Sequence, residues 1–112
     1  MASSIDLSTS EKASYSVVTV AGKIDSDTSP QFTKVLSGLV ASGKTKIVID
    51  LSAVTFMSSA GIGASVKILN DCRSKKGDLR IAGIQSEVKK VFELLGFAAA
   101  FTFFANVATA AK

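Results

Sequence analysis

The chain has 112 residues, 47% of them hydrophobic, which is enough for one domain with one core and too little for a second domain of ordinary size. Its net charge is +4, but no basic run is interleaved with aromatic residues, which argues against a direct nucleic-acid surface. One cysteine and no histidine exclude an internal disulfide, the usual zinc ligand sets and a histidine-dependent catalytic triad.

The first part of the chain predicts a β-hairpin. Residues 15–21 are rich in β-branched side chains and end at Gly22, which is typical of a strand. We expect this strand to pair with a first strand near residues 4–9, across the polar turn at residues 10–14. These two strands would open the sheet.

A helix is predicted next. Ser29 precedes Pro30, the only proline, and a proline in the first helical position loses no hydrogen bond. Gly43 is a suitable left-handed cap at the other end. The apolar residues between them fall on one helical face: Phe32, Val35, Leu36, Leu39 and Val40.

A central strand and a second helix follow. Residues 46–51 form an apolar run, as expected of a strand that is covered on both sides. A short turn then places Ser58 and Ser59 at the start of a helix at residues 59–76, which Gly77 ends. The apolar residues of this helix keep helical spacing: Ile62, Val66, Leu69 and Cys72.

The last third predicts a strand, a helix, a final strand and a short closing helix. Residues 79–83 alternate in polarity, Ser86 caps a helix that Gly96 ends, and residues 101–104 complete the sheet. The buried stripe of this helix is Val88, Val91, Phe92 and Leu95. The order ββαβαβαβα indicates an α/β fold, with a mixed sheet of about five strands and about four helices packed on it.

Targeting signals are not evident in the sequence. The N-terminus lacks the basic start and apolar run of a signal peptide, and residues 96–111, although uncharged, fall short of the roughly 20 apolar residues that span a membrane. We therefore expect a cytoplasmic protein without membrane insertion.

Three segments of the chain resemble one family. Residues 47–63 read IVIDLSAVTFMSSAGIG, residues 22–25 read GKID and residues 86–97 read SEVKKVFELLGF. Over nearly the whole chain, these segments resemble the STAS family of small bacterial anti-sigma factor antagonists. The resemblance implies a single STAS domain at residues 1–112 that is not an enzyme and uses no cofactor or metal.

The resemblance also implies a way of acting. In the family a partner kinase phosphorylates a serine, and dephosphorylation restores binding to that partner. The unmodified protein would therefore bind an anti-sigma factor or a related ATP-using serine kinase, and so release a sigma factor. A serine phosphatase would reset the switch, and we expect the protein to be a monomer or a weak homodimer.

The resemblance, matched on Phe56, Met57 and Gly61, implies the candidate site. The regulatory serine of the family falls on Ser59, with Ser58 as the alternative. Many members carry an acidic residue at the position of Ser58 and a glutamate at the position of Lys23. The implied partner-binding residues are Asp25, Asp27, Thr28, Ser58, Ser59, Ala60, Gly61 and Ile62.

Without the resemblance, these residues have an ordinary structural interpretation. Ser58 and Ser59 would be helix caps, and Asp25, Asp27 and Thr28 would provide turn chemistry before the proline. With it, a phosphate on Ser59 would lie near free N–H groups and the positive end of a helix dipole. Such a phosphate adds nearly two negative charges, which are costly to bury in an interface, so modification would abolish binding without unfolding the domain.

A phosphate-loop pattern is also present. Residues 38–45 read GLVASGKT and match G-x-x-x-x-G-K-[ST]. A phosphate loop follows a strand and opens a helix, whereas this segment closes a helix and opens a strand. We interpret it as a glycine cap followed by solvated lysines.

Asp50 lies at the end of a predicted central strand, where a response regulator carries its phosphate-accepting aspartate. That interpretation needs an acidic pair after the first strand and a later strand-end lysine, which the chain lacks. Asp50 is therefore predicted to anchor a loop.

A different class of function is the main alternative. The domain would then be a permanent scaffold or accessory subunit, in a stress-sensing complex or beside a transporter, and its serine would never be modified. Nucleotide binding through residues 38–45 is the least favoured hypothesis.

Overall fold

A five-stranded sheet forms the centre of the molecule, whose computed structural model describes residues 5–112. The elements are β1 (Ile5–Lys12), β2 (Tyr15–Ile24), α1 (Ser29–Ala41), β3 (Lys46–Met57), α2 (Ser59–Ser74), β4 (Asp78–Ala82), α3 (Ser86–Leu94), a 3₁₀ turn (Ala98–Ala100), β5 (Phe103–Phe104) and α4 (Val107–Ala110). The strands lie in chain order, with β1 antiparallel to β2 and the other neighbouring pairs parallel. The predicted mixed sheet and element order are confirmed.

Helices α1, α2 and α3 pack on one face of the sheet. Each connects two neighbouring parallel strands, and every crossover moves one strand further in the same direction. Because such crossovers are right-handed, all three helices lie on the same side. One apolar cluster accordingly joins strand residues such as Ile24 and Ile49 to Phe32, Ile62 and Phe92 of the three helices.

The opposite face carries a smaller cluster. It is formed by Tyr15, Val17, Val48, Ala82, Ala110 and Ala111. Arg80 fastens α4 here: its guanidinium lies 4.9 Å from the ring centre of Tyr15 and 5.4 Å from that of Phe104, and it donates a hydrogen bond to the Ala110 carbonyl at 2.9 Å. Among residues 5–112, the helix that covers this face is therefore a single turn, which lies over β4, β5 and the amino half of β3, beside the first residues of β2.

The predicted hairpin is right in its pairing and wrong in its length. Strand β1 continues to Lys12, because Glu11 and Lys12 pair with the first residues of β2. The turn consists of Ala13 and Ser14 alone, and Ala13 has a φ of 55°. Charged side chains suit this edge strand, since they discourage pairing with other chains. Residue 4 of the predicted strand lies outside the described residues.

Strand β3 runs six residues past its predicted end at residue 51. Its pairing with β2 continues through two register shifts, and at each of them β3 carries one extra residue. The Asp50 carboxylate accepts a hydrogen bond from the N–H of Ser52 at 3.0 Å, beside the first shift. Asp50 therefore anchors a β-bulge within β3, whereas the sequence predicts that it anchors a loop.

The start of α1 is shifted by one residue, and its end is as predicted. Thr28, not Ser29, is the N-cap residue, and Pro30 lies in the first turn. Gly43 has a φ of 85°, and the N–H groups of Gly43 and Lys44 donate to carbonyls of the last turn. The predicted left-handed glycine cap is therefore confirmed.

The end of α2 differs from the prediction. The left-handed residue is Lys76, with a φ of 64°, and Gly77 donates its N–H to the Cys72 carbonyl at 2.7 Å. Gly77 is required for another reason, because a Cβ there would overlap the carbonyl oxygen of Thr45. Glycine thus allows the α2–β4 connection to pass against the chain that enters β3.

In the last third of the chain, the structure also differs in detail from the prediction. Gln85 occupies the N-cap position of α3 and makes no side-chain cap hydrogen bond, and Ser86 is the first helical residue. Val88 and Phe92 of the predicted stripe are buried, whereas Leu95 is 42% exposed. The final strand is shorter than predicted and comprises Phe103 and Phe104.

Glycine substitutions test this account of the α2–β4 connection. Gly77→Ala should lower the free energy of unfolding by about 2 kcal/mol or more, because a backbone atom must move. Gly38→Ala is the matched control: its Cβ meets nothing within 4 Å in α1, so the variant should gain up to about 1 kcal/mol from helix propensity. Urea denaturation followed by circular dichroism measures both, and equal stabilities of the two variants would refute the steric explanation.

Candidate functional site

The carboxyl ends of β2 and β3 meet at one edge of the sheet. The register places Ile24 opposite Met57, and the Ser58 N–H donates to the Ile24 carbonyl at 2.7 Å. The turn at residues 25–28 therefore lies beside the turn at residues 58–61 that opens α2. The structure thus brings the predicted site residues together.

The two serines of the α2 turn differ in what their hydroxyl groups do. Ser58 is the N-cap residue, and its Oγ accepts a hydrogen bond from the Gly61 N–H at 3.3 Å. Its carbonyl accepts the first helical bond, from the Ile62 N–H at 3.0 Å. Ser59 is the first helical residue and is exposed. Ser59 is therefore accessible at the surface and takes no part in the cap hydrogen bond.

Gly61 and Ile62 lie beneath the exposed residues at the start of α2. A Cβ on Gly61 would lie 2.7 Å from Cγ2 of Ile24 and 3.3 Å from Cγ of Met57, so glycine lets α2 approach the strand ends closely. Ile62 is 0% exposed. Gly61 and Ile62 therefore support the turn from below, whereas Ala60 is exposed beside Ser59, and the place of all three among the partner-binding residues stays a prediction.

Asp25 organises the turn before α1. Its Oδ1 accepts hydrogen bonds from the N–H groups of Asp27 at 2.9 Å and Thr28 at 3.1 Å. The Thr28 hydroxyl donates to the Lys23 carbonyl at 2.7 Å and accepts from the Asp25 N–H at 2.8 Å. Thr28 is fully buried and its hydroxyl closes the turn, while its predicted partner contact stays a prediction. Asp27 is exposed and Asp25 is partly buried.

Phe56 is a residue of this edge that the sequence did not predict to be exposed. Its side chain is 46% exposed, and it pairs across the strands with Lys23, which is also exposed. Simple strand alternation could not have shown this, because the register shift before Phe56 changes the face on which the following side chains lie.

Comparison with known proteins identifies the family. Residues 4–110 match the profile of the STAS domain. The chain belongs to the STAS family. The anti-sigma-B factor antagonist of Staphylococcus aureus (strain NCTC 8325 / PS 47) is 27% identical over 92 residues, which is 82% of this chain and 85% of that protein.

Solved structures agree with the assignment. An anti-sigma factor antagonist from Mycobacterium paratuberculosis is 28% identical and has a TM-score of 0.80, covering 96% of this chain and 91% of that chain. The Bacillus cell fate determinant SpoIIAA, in its phosphorylated form, shares the fold with a TM-score of 0.73 at 19% identity, over 96% of both chains. The predicted family and its STAS fold are confirmed.

A reactive thiol, a metal site and a membrane-spanning helix receive little support from the described residues of this STAS domain. Cys72 is buried, and its burial, together with nearby Asp71 and Asp78, raises the pKa of the thiol to about 11, so the reactive thiolate is scarce at neutral pH. Within residues 5–112, no three His, Cys, Asp or Glu side chains are grouped to hold a metal ion. Over the same residues, every helix is too short or too polar to cross a bilayer.

The backbone of GLVASGKT is not arranged as in a phosphate loop. The N–H groups of Gly43 and Lys44 donate to the carbonyls of Val40 and Leu39 at 3.0 and 2.9 Å, so they are not available to a phosphate. The Lys44 ammonium lies 3.5 Å from the carboxylate of Glu11. The adjoining cavity of about 310 Å³ also lies at the carboxyl end of α1, where the helix dipole repels anions.

The cap assignment predicts different effects for the two serines. Ser58→Ala should lower the free energy of unfolding by about 1 kcal/mol, and Ser58→Asp should leave it nearly unchanged, since aspartate caps helices as well as serine does. Ser59→Ala is the control and should be close to wild type, because Ser59 is exposed and outside the cap bond. Urea denaturation decides, and a Ser58→Ala variant as stable as wild type would contradict the assignment.

The phosphate-loop interpretation is tested at Lys44. We expect no saturable heat of ATP–magnesium or GTP–magnesium binding by titration calorimetry, for the wild type or for Lys44→Ala. The substitution should cost less than about 0.5 kcal/mol of stability, because its ion pair with Glu11 is exposed. Nucleotide binding by the wild type that disappears in the variant would show that our interpretation is wrong.

Proposed function

We propose that this STAS protein is an anti-sigma factor antagonist whose partner binding is switched by phosphorylation of Ser59. Unmodified, it binds an anti-sigma factor that is also a serine kinase, and so releases a sigma factor. The kinase supplies ATP and magnesium, a serine phosphatase restores the unmodified state, and this chain contributes no catalysis. The setting is the cytoplasm, and the protein acts as a monomer or weak homodimer without direct nucleic-acid contact.

The observation that carries the proposal is the division of roles between the two serines. Ser58 holds the start of α2 through its hydroxyl, and Ser59 presents its hydroxyl to solvent one residue later. The relatives named as anti-sigma factor antagonists support the choice of partner. The phosphorylated state known for Bacillus SpoIIAA, a protein of the same fold, supports the choice of switch.

The electrostatics of the turn favour a modified protein that stays folded. The first N–H groups of a helix have no intrahelical partner, and the helix dipole is positive there. A phosphate on Ser59 would therefore be tolerated while the protein is free. Against a partner, the same two negative charges would have to be desolvated, which costs several kcal/mol and lowers affinity on the order of a hundredfold or more.

The identity of the switch is tested by mass spectrometry and binding. Protein from its native cells should carry phosphate on Ser59, and the phosphate should be lost in Ser59→Ala and retained in Ser58→Ala. Kinase captured with the unmodified protein, and then purified, should bind Ser59→Asp at least tenfold more weakly than wild type, because a charge then enters the contact surface.

A serine far from the site, Ser14, provides the matched control. Ser14 is exposed and precedes β2, so it lies at the opposite edge of the sheet from the site. Ser14→Asp adds the same charge and should bind the kinase as wild type does. If Ser59→Asp also binds as tightly as wild type, the switch is refuted. One constant, large assembly in size-exclusion chromatography of lysate, whatever the phosphorylation state, would then favour a permanent scaffold.

A further inference from the structure

Phe56 is an exposed aromatic residue beside the candidate switch. Within the described chain, the large hydrophobic side chains with substantial exposure are Phe56, Leu94 and Leu95. Leu94 and Leu95 lie at the far end of α3. Phe56 is the next-to-last residue of β3, three residues before Ser59. Of these three residues, Phe56 is therefore the one that lies at the edge of the sheet where the serine turn lies.

Phe56 and Lys23 project from the face of the sheet opposite to α1, α2 and α3. Their neighbours Met57 and Ile24 belong to the core beneath those helices, and successive strand residues point to opposite faces. The cluster under α4 covers the amino halves of β2 and β3 and does not include Phe56 or Lys23. Both side chains are therefore open to a partner.

The distance from Ser59 places this pair inside a normal interface. Three residues of chain span at most about 11 Å, so the Cα atoms of Phe56 and Ser59 lie within that distance. A standard interface buries about 800 Å² on each partner, which corresponds to a disc of about 16 Å radius. A partner centred on Ser59 that also wraps over the end of the sheet would therefore reach Phe56 and its cross-strand neighbour Lys23, which project from the face opposite α2.

We infer that Phe56 and Lys23 extend the surface gated by Ser59, and that the kinase docking there brings an apolar recess for the Phe56 ring and a carboxylate for Lys23. This inference rests on the function proposed above and adds the chemistry of the partner surface. Aromatic anchors near the centre of an interface commonly carry much of the affinity. A lysine at the rim attracts an acidic partner and mainly raises the rate of association.

The aromatic anchor is tested with two alanine substitutions. Phe56→Ala should weaken binding of the purified kinase at least tenfold in a surface-based kinetic assay, mainly through faster dissociation. Leu94→Ala is the control, since it removes a more exposed side chain, 84% exposed, from the end of α3. Its affinity should stay within twofold of wild type.

The charge is tested with two lysine substitutions. Lys23→Glu should slow association at least fivefold at low salt, and the difference from wild type should shrink as the salt concentration rises. Lys12→Glu is the control: Lys12 pairs with Tyr15 on the same face, eight β2 residues from Lys23, or about 26 Å along the strand. It changes the net charge equally and should leave association near the wild-type rate.

The outcomes separate the two proposals. If the wild type binds the kinase and Phe56→Ala and Lys23→Glu both match their controls, the extended surface is refuted while the Ser59 switch stands. If the wild type binds no kinase, the proposed function fails and this inference fails with it. Should Phe56→Ala lose its circular dichroism signal, Lys23→Glu, an exposed surface change, decides the question alone.

Discussion

The hydrogen bond from the Ser58 N–H to the Ile24 carbonyl, 2.7 Å long, holds the candidate site together. It joins the end of β3 to the end of β2, so two turns that are more than thirty residues apart in sequence become neighbours. Glycine at position 61 lets the start of α2 lie close to the end of β2, because a Cβ there would meet Ile24 at 2.7 Å.

This arrangement holds the serine turn by hydrogen bonds on both sides, which bears on the kind of switch that it can support. The Ser58 hydroxyl caps α2 and Asp25 closes the neighbouring turn, so neither loop needs to rearrange to present Ser59. A phosphate would change charge and hydration at a fixed place, and the helix dipole would stabilise it in the free protein. The proposed regulation therefore acts by disfavouring one bound complex, without requiring a second conformation of the domain.

Much of the fold could be predicted from the sequence, because helix faces and glycine caps follow local rules. Gly43 ends α1 as expected, and the position of Ser59 at the start of α2 follows from the helical pattern after it. The full length of β3 could not be predicted. Its buried residues Leu51, Val54 and Met57 are three apart, which resembles a helix, and only the bulges opposite β2 reconcile that spacing with a strand.

The roles of the candidate site residues were harder to predict than the fold, because buried and exposed residues lie side by side in the same short segments. Thr28 and Ile62 lie next to exposed residues in the sequence and are fully buried in the structure. Their hydrogen bonds and packing depend on contacts across turns, which local sequence does not specify. The lysine of GLVASGKT illustrates the same limit, since its pattern matches a phosphate loop while its backbone N–H groups close a helix.

The two faces of the sheet explain why a docking surface is available at this edge. Three helices cover one face completely enough to bury the core, and a single turn of helix, held by Arg80, covers part of the other. That cover ends before the carboxyl halves of β2 and β3, where the exposed side chains are mostly small or polar apart from Phe56. An aromatic residue left uncovered among them gains nothing for folding from its exposed area, and its burial by a partner would recover that hydrophobic free energy.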